Sequence, residues 1–476
     1  MKKLLVRAMA IIHIAAGVCL AQVNQQWVQR FTSDSVRNET VHDMFVDAQG
    51  NVYVTGFQRQ NPSNLLTMQA VTVKYNSQGV QQWIQNYVDS ANTGAFCRAI
   101  HVDAAGNVYV TGESGVFGLP KVALVIKYSP TGTQLWSYRF KYLSFGVDRG
   151  YDIITDATGN VYVTGEYSGD ANNVFLVKFG PTGNLINRTA YNLASEGGRK
   201  IGLDGAGKII IGGWINNNPQ NTSRFLVLKY EQNLDFVWAT TFGSSAFGNP
   251  YTESPDMAID INSNIIFTWA DNLDYATFKL NSNGVVQWSR FYHFNISDLP
   301  RGVVTDNLGN IYVTGQIGGQ GFPFSFDFCT IKYNPNGDEQ WVRTLKPTLP
   351  DPDGFAAYDI AIDNSANVYV TGNRFVGQNI ITAKYNTAGS LQWVKTYSGS
   401  SPNSGDYAVA VGVDANGNTY VTGNSDLNNS TTGNDIVIIK YAPTSLFASD
   451  FKKNIAKAIL DNQAVLDTIA LDYTAP

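Results

Sequence analysis

Apolar residues fall along this chain in short runs, and each run stops at a cluster of Gly, Asn, Asp, Pro or Ser. Runs rich in Val, Ile, Tyr and Trp with that punctuation predict β-strands joined by tight turns. The stretch from Arg98 to Phe140 resolves into four of them, at residues 98–102, 107–113, 123–128 and 135–140, called here strands A to D. Asp103 opens the A–B turn and Gly106 closes it, while Pro130-Thr-Gly132 marks the C–D turn. An Asp side chain there can accept a backbone N–H two residues on, and Gly takes the left-handed conformation that completes a tight hairpin. Strand C is apolar at consecutive positions from Val122 to Ile126, so both faces of its sheet must be covered. Sheets stacked face to face around an axis meet that requirement.

The unit recurs around one phrase, D-x-x-G-N-x-Y-V-T-G, which begins at Asp47, Asp103, Asp156 and Asp306. Ala366 replaces the glycine in the copy from Asp363, and Thr419 replaces the apolar residue in the copy from Asp414. Worn copies begin at Asp204 and Asp260 and bring the count to eight. A period of about fifty residues marks a propeller or solenoid. Strand C ends in Lys at positions 74, 127, 178, 229, 279, 332, 384 and 440; strand D usually carries a Trp, with Ile186 in its place in a worn copy. The eight repeat aspartates read as turn formers, with a calcium or catalytic role as the alternative.

These residues resemble the SBBP β-propeller repeat family, whose motif is this phrase followed by a K-Y strand and a W strand. The resemblance covers the chain from about Gln25 to Tyr441. It implies an all-β propeller of seven blades and no particular activity. Strand counting departs from seven. Eight A-B-C sets are followed by seven D strands, and residues 25–31 (QQWVQRF) match the D strand at 391–397 (LQWVKTY). An N-terminal strand beside residues 435–441 would complete an eighth four-stranded blade and hide two sheet edges; seven blades is the runner-up. From Thr444 to Pro476 the apolar residues Phe451, Ile455, Ile459, Val465 and Ile469 recur at helical spacing, predicting a short helical C-terminal tail packed on the ring.

Residues 1–21 have the build of a secretory signal: Lys2, Lys3 and Arg7, an apolar stretch from Leu4 to Leu20, then small Ala21 before Gln22. Arg7 and His13 interrupt the run, which is short for a membrane span. Val18 argues against lipidation at Cys19. The expectation is therefore a signal at 1–21, a propeller at 22–443 and a tail at 444–476, exported as a secreted, cell-surface or periplasmic monomer with no transmembrane segment after cleavage. Losing the three signal cations takes the formal net charge from -5 to -8. That balance argues against nucleic acid, whose phosphates need clustered Lys and Arg. Cys97 and Cys329 fall four blades apart and are expected to stay unpaired, since a disulfide needs Cα atoms within roughly 7 Å. Neither Cys97, with a single His101 four residues on, nor Cys329 shows the paired spacing of a metal site, so no metal is expected.

Strand order puts the tight A–B and C–D turns on one side, face two, and the long B–C and D–A connections on the other, face one. Face-one connections are aromatic, with Phe117, Phe145, Tyr167, Trp214, Phe247, Tyr251, Tyr292, Phe322, Phe324, Phe326, Phe355 and Phe375 in or beside them. Such side chains suit stacking on sugar rings or gripping a peptide, and they also fill gaps between loops. Five residues before each repeat Asp stand His42, Arg98, Tyr151, Arg199, Pro255, Arg301, Tyr358 and Val409. On an innermost strand these gather near the channel mouth, where three arginines can bind an anion or pair with Asp148, Glu196 and Asp298. No nucleophile elbow, zinc-protease helix motif, P-loop or dinucleotide fingerprint occurs, so no catalytic residue and no cofactor is assigned. The reading is a binding or scaffolding module that takes a glycan or protein on face one through Arg98, Arg199, Arg301, His42, Tyr151, Tyr358, Trp214 and Phe322. The alternative is a propeller enzyme, a polysaccharide lyase, glycoside hydrolase or quinoprotein, with its site at the channel mouth; clustered acids around His42 or His101 would favour it.

Overall fold

The computed structural model describes residues 23–443 apart from 32–37, 60–67, 89–93, 116–119, 144–145, 170, 217–222, 246–254, 272–273, 295–297, 319–325, 347–353, 375–377, 400–404 and 427–433. The expected signal and helical tail lie outside the described residues. Eight four-stranded antiparallel sheets form a ring, and the first seven are each entered by an innermost strand A and left by an outermost strand D. Blade 2 is typical, with strands Ala95–Val102, Val108–Ser114, Val122–Tyr128 and Gln134–Phe140. Blade 8 consists of Asp406–Val413, Thr419–Asp426 and Asn434–Pro443, and the N-terminal strand Val23–Phe31 pairs beside the last of these. Its inner strand packs on Asn38–Val46 of blade 1, so the circle closes at eight and not at seven. The ring, Gln25–Tyr441, is one compact unit; the other, Met1–Asn24 with Ala442–Pro476, lies almost wholly outside the described residues.

The repeated phrase turns out to be a clasp between neighbouring blades. Asp103 Oδ1 accepts the N–H groups of Ala105 and Asn107, while Oδ2 accepts Asn107 Nδ2 at 2.8 Å and the Tyr109 hydroxyl at 2.9 Å. That fixes the A–B turn and pins a buried Tyr ring. Lys127 lies over the ring, 5.1 Å from its centroid, and donates to the Pro181 carbonyl of blade 3 at 3.1 Å. Trp136 Nε1 donates to the same carbonyl, also at 3.1 Å. At ring closure Lys440 and Trp27 share the Ser77 carbonyl at 2.7 and 3.2 Å. Asp47, Asp156, Asp306, Asp363 and Asp414 repeat the arrangement, so their oxygens are committed to the turn. In the worn copies Ile210 and Ile266 replace the Tyr. Lys229 and Lys279, with no Tyr ring beneath them, keep the carbonyl of the next blade and pair in addition with Asp204 and Asp260 at 2.7 and 3.1 Å.

The C–D turn glycine belongs to the same clasp. Gly132 has φ +86° and lies against the Trp83 indole, where a Cβ would sit 2.6 Å from Trp83 Cγ. One expectation needs correcting. The register pairs Lys178 with Asn187, so Asn187 and not Ile186 stands at the Trp position of blade 3. A one-residue slip moves a side chain to the other face of its sheet, and Ile186 is half exposed accordingly. Asn187 Nδ2 replaces the indole donor, reaching the Asn233 carbonyl at 2.7 Å. With no indole to accommodate, the next turn carries buried Leu234 at φ 74° where other blades have Gly. Cys97, on the inner strand of blade 2, and Cys329, on strand C of blade 6 (Phe326–Tyr333), are buried and unpaired.

Candidate binding site

The position five residues before the repeat Asp has a structural identity that the sequence did not reveal. In seven inner strands the pairing with strand B slips by one residue, and the extra residue is His42, Arg98, Tyr151, Arg199, Arg301, Tyr358 or Val409. Such a bulge leaves one residue unpaired and re-aims its side chain. In blade 5 Pro255 comes just ahead of the short inner strand Asp256–Ile259.

Three of these residues come together on blades 2 to 4. The Tyr151 ring lies between two guanidinium groups, Arg199 at 3.8 Å and Arg98 at 5.0 Å from its centroid. Two buried strand-B carboxylates stitch the group. Glu113 takes Arg98 at 3.3 Å, Arg149 at 3.0 Å and Lys121; Glu166 takes Arg149 at 2.9 Å, Arg199 at 3.0 Å and the Tyr151 hydroxyl at 3.0 Å. The expected partners Asp148, Glu196 and Asp298 lie three residues earlier on their chains and accept backbone N–H groups of the D–A connections, from Tyr142, Ala194 and Phe294 respectively. Sequence reasoning missed Glu113, Glu166 and Arg149. The signal was an acid directly after the decapeptide in the second and third copies. Four cations therefore meet two carboxylates. Arg98 and Arg149 keep 28% and 30% of their side chains accessible, whereas Arg199 keeps 4%.

The remaining expected residues lie beside this cluster or apart from it. Arg301 lies over Tyr358, 5.6 Å from its ring centroid, across blades 6 and 7 and outside the cluster. His42 sits against Phe57 and Phe96, and its Nδ1–H donates to the Cys97 carbonyl at 2.6 Å. His101 bonds the Thr155 hydroxyl at 3.0 Å. Burial lowers both imidazoles to about 4, so they are neutral, and neither hydrogen-bonds a carboxylate. Trp214 is 1% exposed and packs in the core between blades 4 and 5, with the buried Arg199 guanidinium 5.9 Å from its ring centroid. Phe322 lies outside the described residues. Of the other loop aromatics, Tyr167 and Phe355 are buried and Tyr292 and Phe326 half-buried; Phe117, Phe145, Phe247, Tyr251, Phe324 and Phe375 lie outside the described residues.

One residue further along, the inner strands carry Asp43, Asp152, Asp256 and Asp359 in blades 1, 3, 5 and 7. Each accepts an N–H from the inner strand of the following blade: Ile100 at 2.9 Å, Ile201 at 2.9 Å, Val303 at 2.8 Å and Val411 at 2.7 Å. The even blades have Ala99, Lys200, Gly302 and Ala410 there. Lys200 Nζ pairs with Asp256 at 3.2 Å and feels the charges of Asp152 and Asp43. Burial pushes Asp43 up to about 7 and Asp359 up to about 6. Alternate seams of the ring are thus stapled by a carboxylate.

Among known proteins, the SBBP beta-propeller repeat model matches residues 295–323. An uncharacterized WD repeat-containing protein of Acanthamoeba polyphaga mimivirus is 22% identical over 78% of this chain, and the chain spans 30% of that protein's length. A quinohemoprotein alcohol dehydrogenase from Pseudomonas putida HK5 superposes with a TM-score of 0.54 at 11% identity, covering 89% of this chain and 76% of its own. The WD40 domain of Toxoplasma gondii coronin gives 0.43 at 10% identity, over 73% of this chain and 82% of the domain. At these identities the likeness concerns the fold alone. No helix among the described residues is long and apolar enough to cross a membrane.

Proposed function

We propose that this chain, an eight-bladed propeller carrying an SBBP repeat, is an exported binding module that takes an acidic glycan or an acidic protein segment on face one. The observation behind this reading is the cation surplus at Tyr151. Arg98 and Arg149 are held by buried carboxylates, yet each keeps over a quarter of its side chain accessible. Arg98, fixed by Glu113 alone, still has N–H groups to fork onto a second carboxylate, while Arg149, shared between Glu113 and Glu166, adds its charge beside it. Loops on a rigid scaffold are where binding sites concentrate, and chain topology gives face one the long connections.

The test is an array of neutral and acidic oligosaccharides and acidic peptides, probed with the purified chain and with Arg98→Gln/Arg149→Gln. The double variant should bind an acidic ligand at least about tenfold more weakly, the scale of one charged hydrogen bond. Capture of neutral ligands alone, or acidic binding unchanged in the folded variant, would end this reading.

A further inference from the structure

Asp274 opens strand C of blade 5 (Asp274–Leu280), His293 follows its strand D (Val286–Tyr292), and Asp298 precedes the inner strand of blade 6 (Leu299–Thr305). These elements meet on face one. One donor atom from each side chain lies within 4.8 Å of the other two, and among the described residues no other group of His, Cys, Asp and Glu converges so closely. His293 is 68% exposed at its side chain, whereas Asp298 is fully buried and oriented by the N–H groups of Phe294 at 2.6 Å and Gly318 at 3.1 Å.

We infer that Asp274, His293 and Asp298 form a binding site for a zinc-class divalent metal ion at the seam of blades 5 and 6. An imidazole with two carboxylates is a donor set that such ions accept, and it leaves a fourth position for water or a ligand group. Two carboxylates facing one imidazole repel each other, and a dication between them removes that repulsion. Backbone N–H groups on Asp298 supply the outer support that fixes a ligand's direction. The Nδ1 atom of His293 is 2.5 Å from Asp274 Oδ1. A metal held by both atoms displaces the proton between them, and the exposed imidazole has to swing away from the carboxylate to admit it. The ion would tie both outer strands of blade 5 to the entry of blade 6. This inference is independent of the arginine cluster.

The experiment uses the full purified chain after dialysis against a chelator, titrated with Zn²⁺ by calorimetry and with Co²⁺ by visible absorption. One equivalent should bind, with a Co²⁺ spectrum of nitrogen and oxygen donors. His293→Ala and Asp274→Asn should each weaken binding at least about tenfold while leaving the metal-free thermal midpoint unchanged. Absence of binding by either metal, or equal binding by folded His293→Ala, overturns the site. Should a variant not fold, the unaltered protein decides: Zn²⁺ must protect His293 from diethyl pyrocarbonate, and failure to do so also overturns it.

Discussion

Burial pushes the Asp103 carboxyl up, but the bonds it accepts from Asn107, Tyr109 and Ala105 outweigh that and hold it below its ordinary range. Asp43 has the opposite balance. Its two backbone N–H bonds, from Met44 and Ile100, do not offset its desolvation, and its carboxyl rises to about 7. The sign follows from proton counting. Between about 4, the unfolded value, and about 7 the folded state holds a proton that the unfolded chain has released, so this residue's contribution to stability falls as pH rises. His42 and His101 run the other way. Their folded values near 4 lie below the unfolded 6.5, and their contribution is lost as pH falls through that window. Asp43→Asn removes only the first effect. Measured by urea denaturation, the variant should gain stability relative to the unaltered protein on going from about pH 5 to about pH 8. A constant difference across that range would show that the Asp43 carboxyl is not raised.

At the level of strands and turns, a blade's D strand and the next blade's C–D turn form one unit. Trp83, Trp136, Trp288 and Trp341 each press on a positive-φ glycine of the following blade, namely Gly132, Gly183, Gly337 and Gly389. The seam of blades 3 and 4 has changed both halves of the contact, to Asn187 and Leu234. Asn187→Trp alone should be destabilising, because the indole meets the Leu234 side chain. Adding Leu234→Gly should recover part of the loss, giving a favourable coupling of about 1 kcal/mol or more in a double-mutant cycle. Additive effects would mean that the two positions changed independently. The inner-strand bulge is equally systematic. It turns His42, Arg98, Tyr151 and their counterparts out of the pairing pattern, and so places Arg98 and Arg199 on either side of Tyr151.

The whole ring is closed by two devices. The N-terminal strand covers the edge of Asn434–Pro443, and Trp27 with Lys440 grips Ser77 of blade 1. Removing residues 23–31 leaves a long unpaired strand edge and one half of the last clasp missing. Such a deletion should lower the thermal midpoint and drive concentration-dependent association on size-exclusion chromatography; a monomeric variant of unchanged midpoint would show that closure contributes nothing. Inside the ring, Asp43, Asp152, Asp256 and Asp359 bridge the seams from blades 1 to 2, 3 to 4, 5 to 6 and 7 to 8. These four carboxylates alternate with seams bridged in other ways, such as Arg149 to Glu113 between blades 2 and 3 and Lys200 to Asp256 between blades 4 and 5. The arginines obey the same alternation, since Arg98, Arg199 and Arg301 all stand in even blades.

The sequence alone determined the strands, their turns, the blade count and the closing strand, because these depend on period, turn chemistry and a count that has to balance. The repeated Asp, Asn, Tyr, Lys and Trp were legible as a motif, but their joint purpose was not. It depends on a carbonyl some fifty residues away, such as Pro181 for Lys127 and Trp136. The candidate site was half legible. Position five before the repeat Asp was the right place to look, and the alternating aspartates one residue later were equally visible once the inner strands were aligned. Only the tertiary structure could decide the partners. A bulge redirects a side chain without leaving a mark in composition, and the distance from Arg98 to Glu113 or Tyr151 is set by how blades stack, not by their separation along the chain. For the same reason Asp274, His293 and Asp298, ordinary as loop residues, became a set of ligands only when two blades brought their ends together.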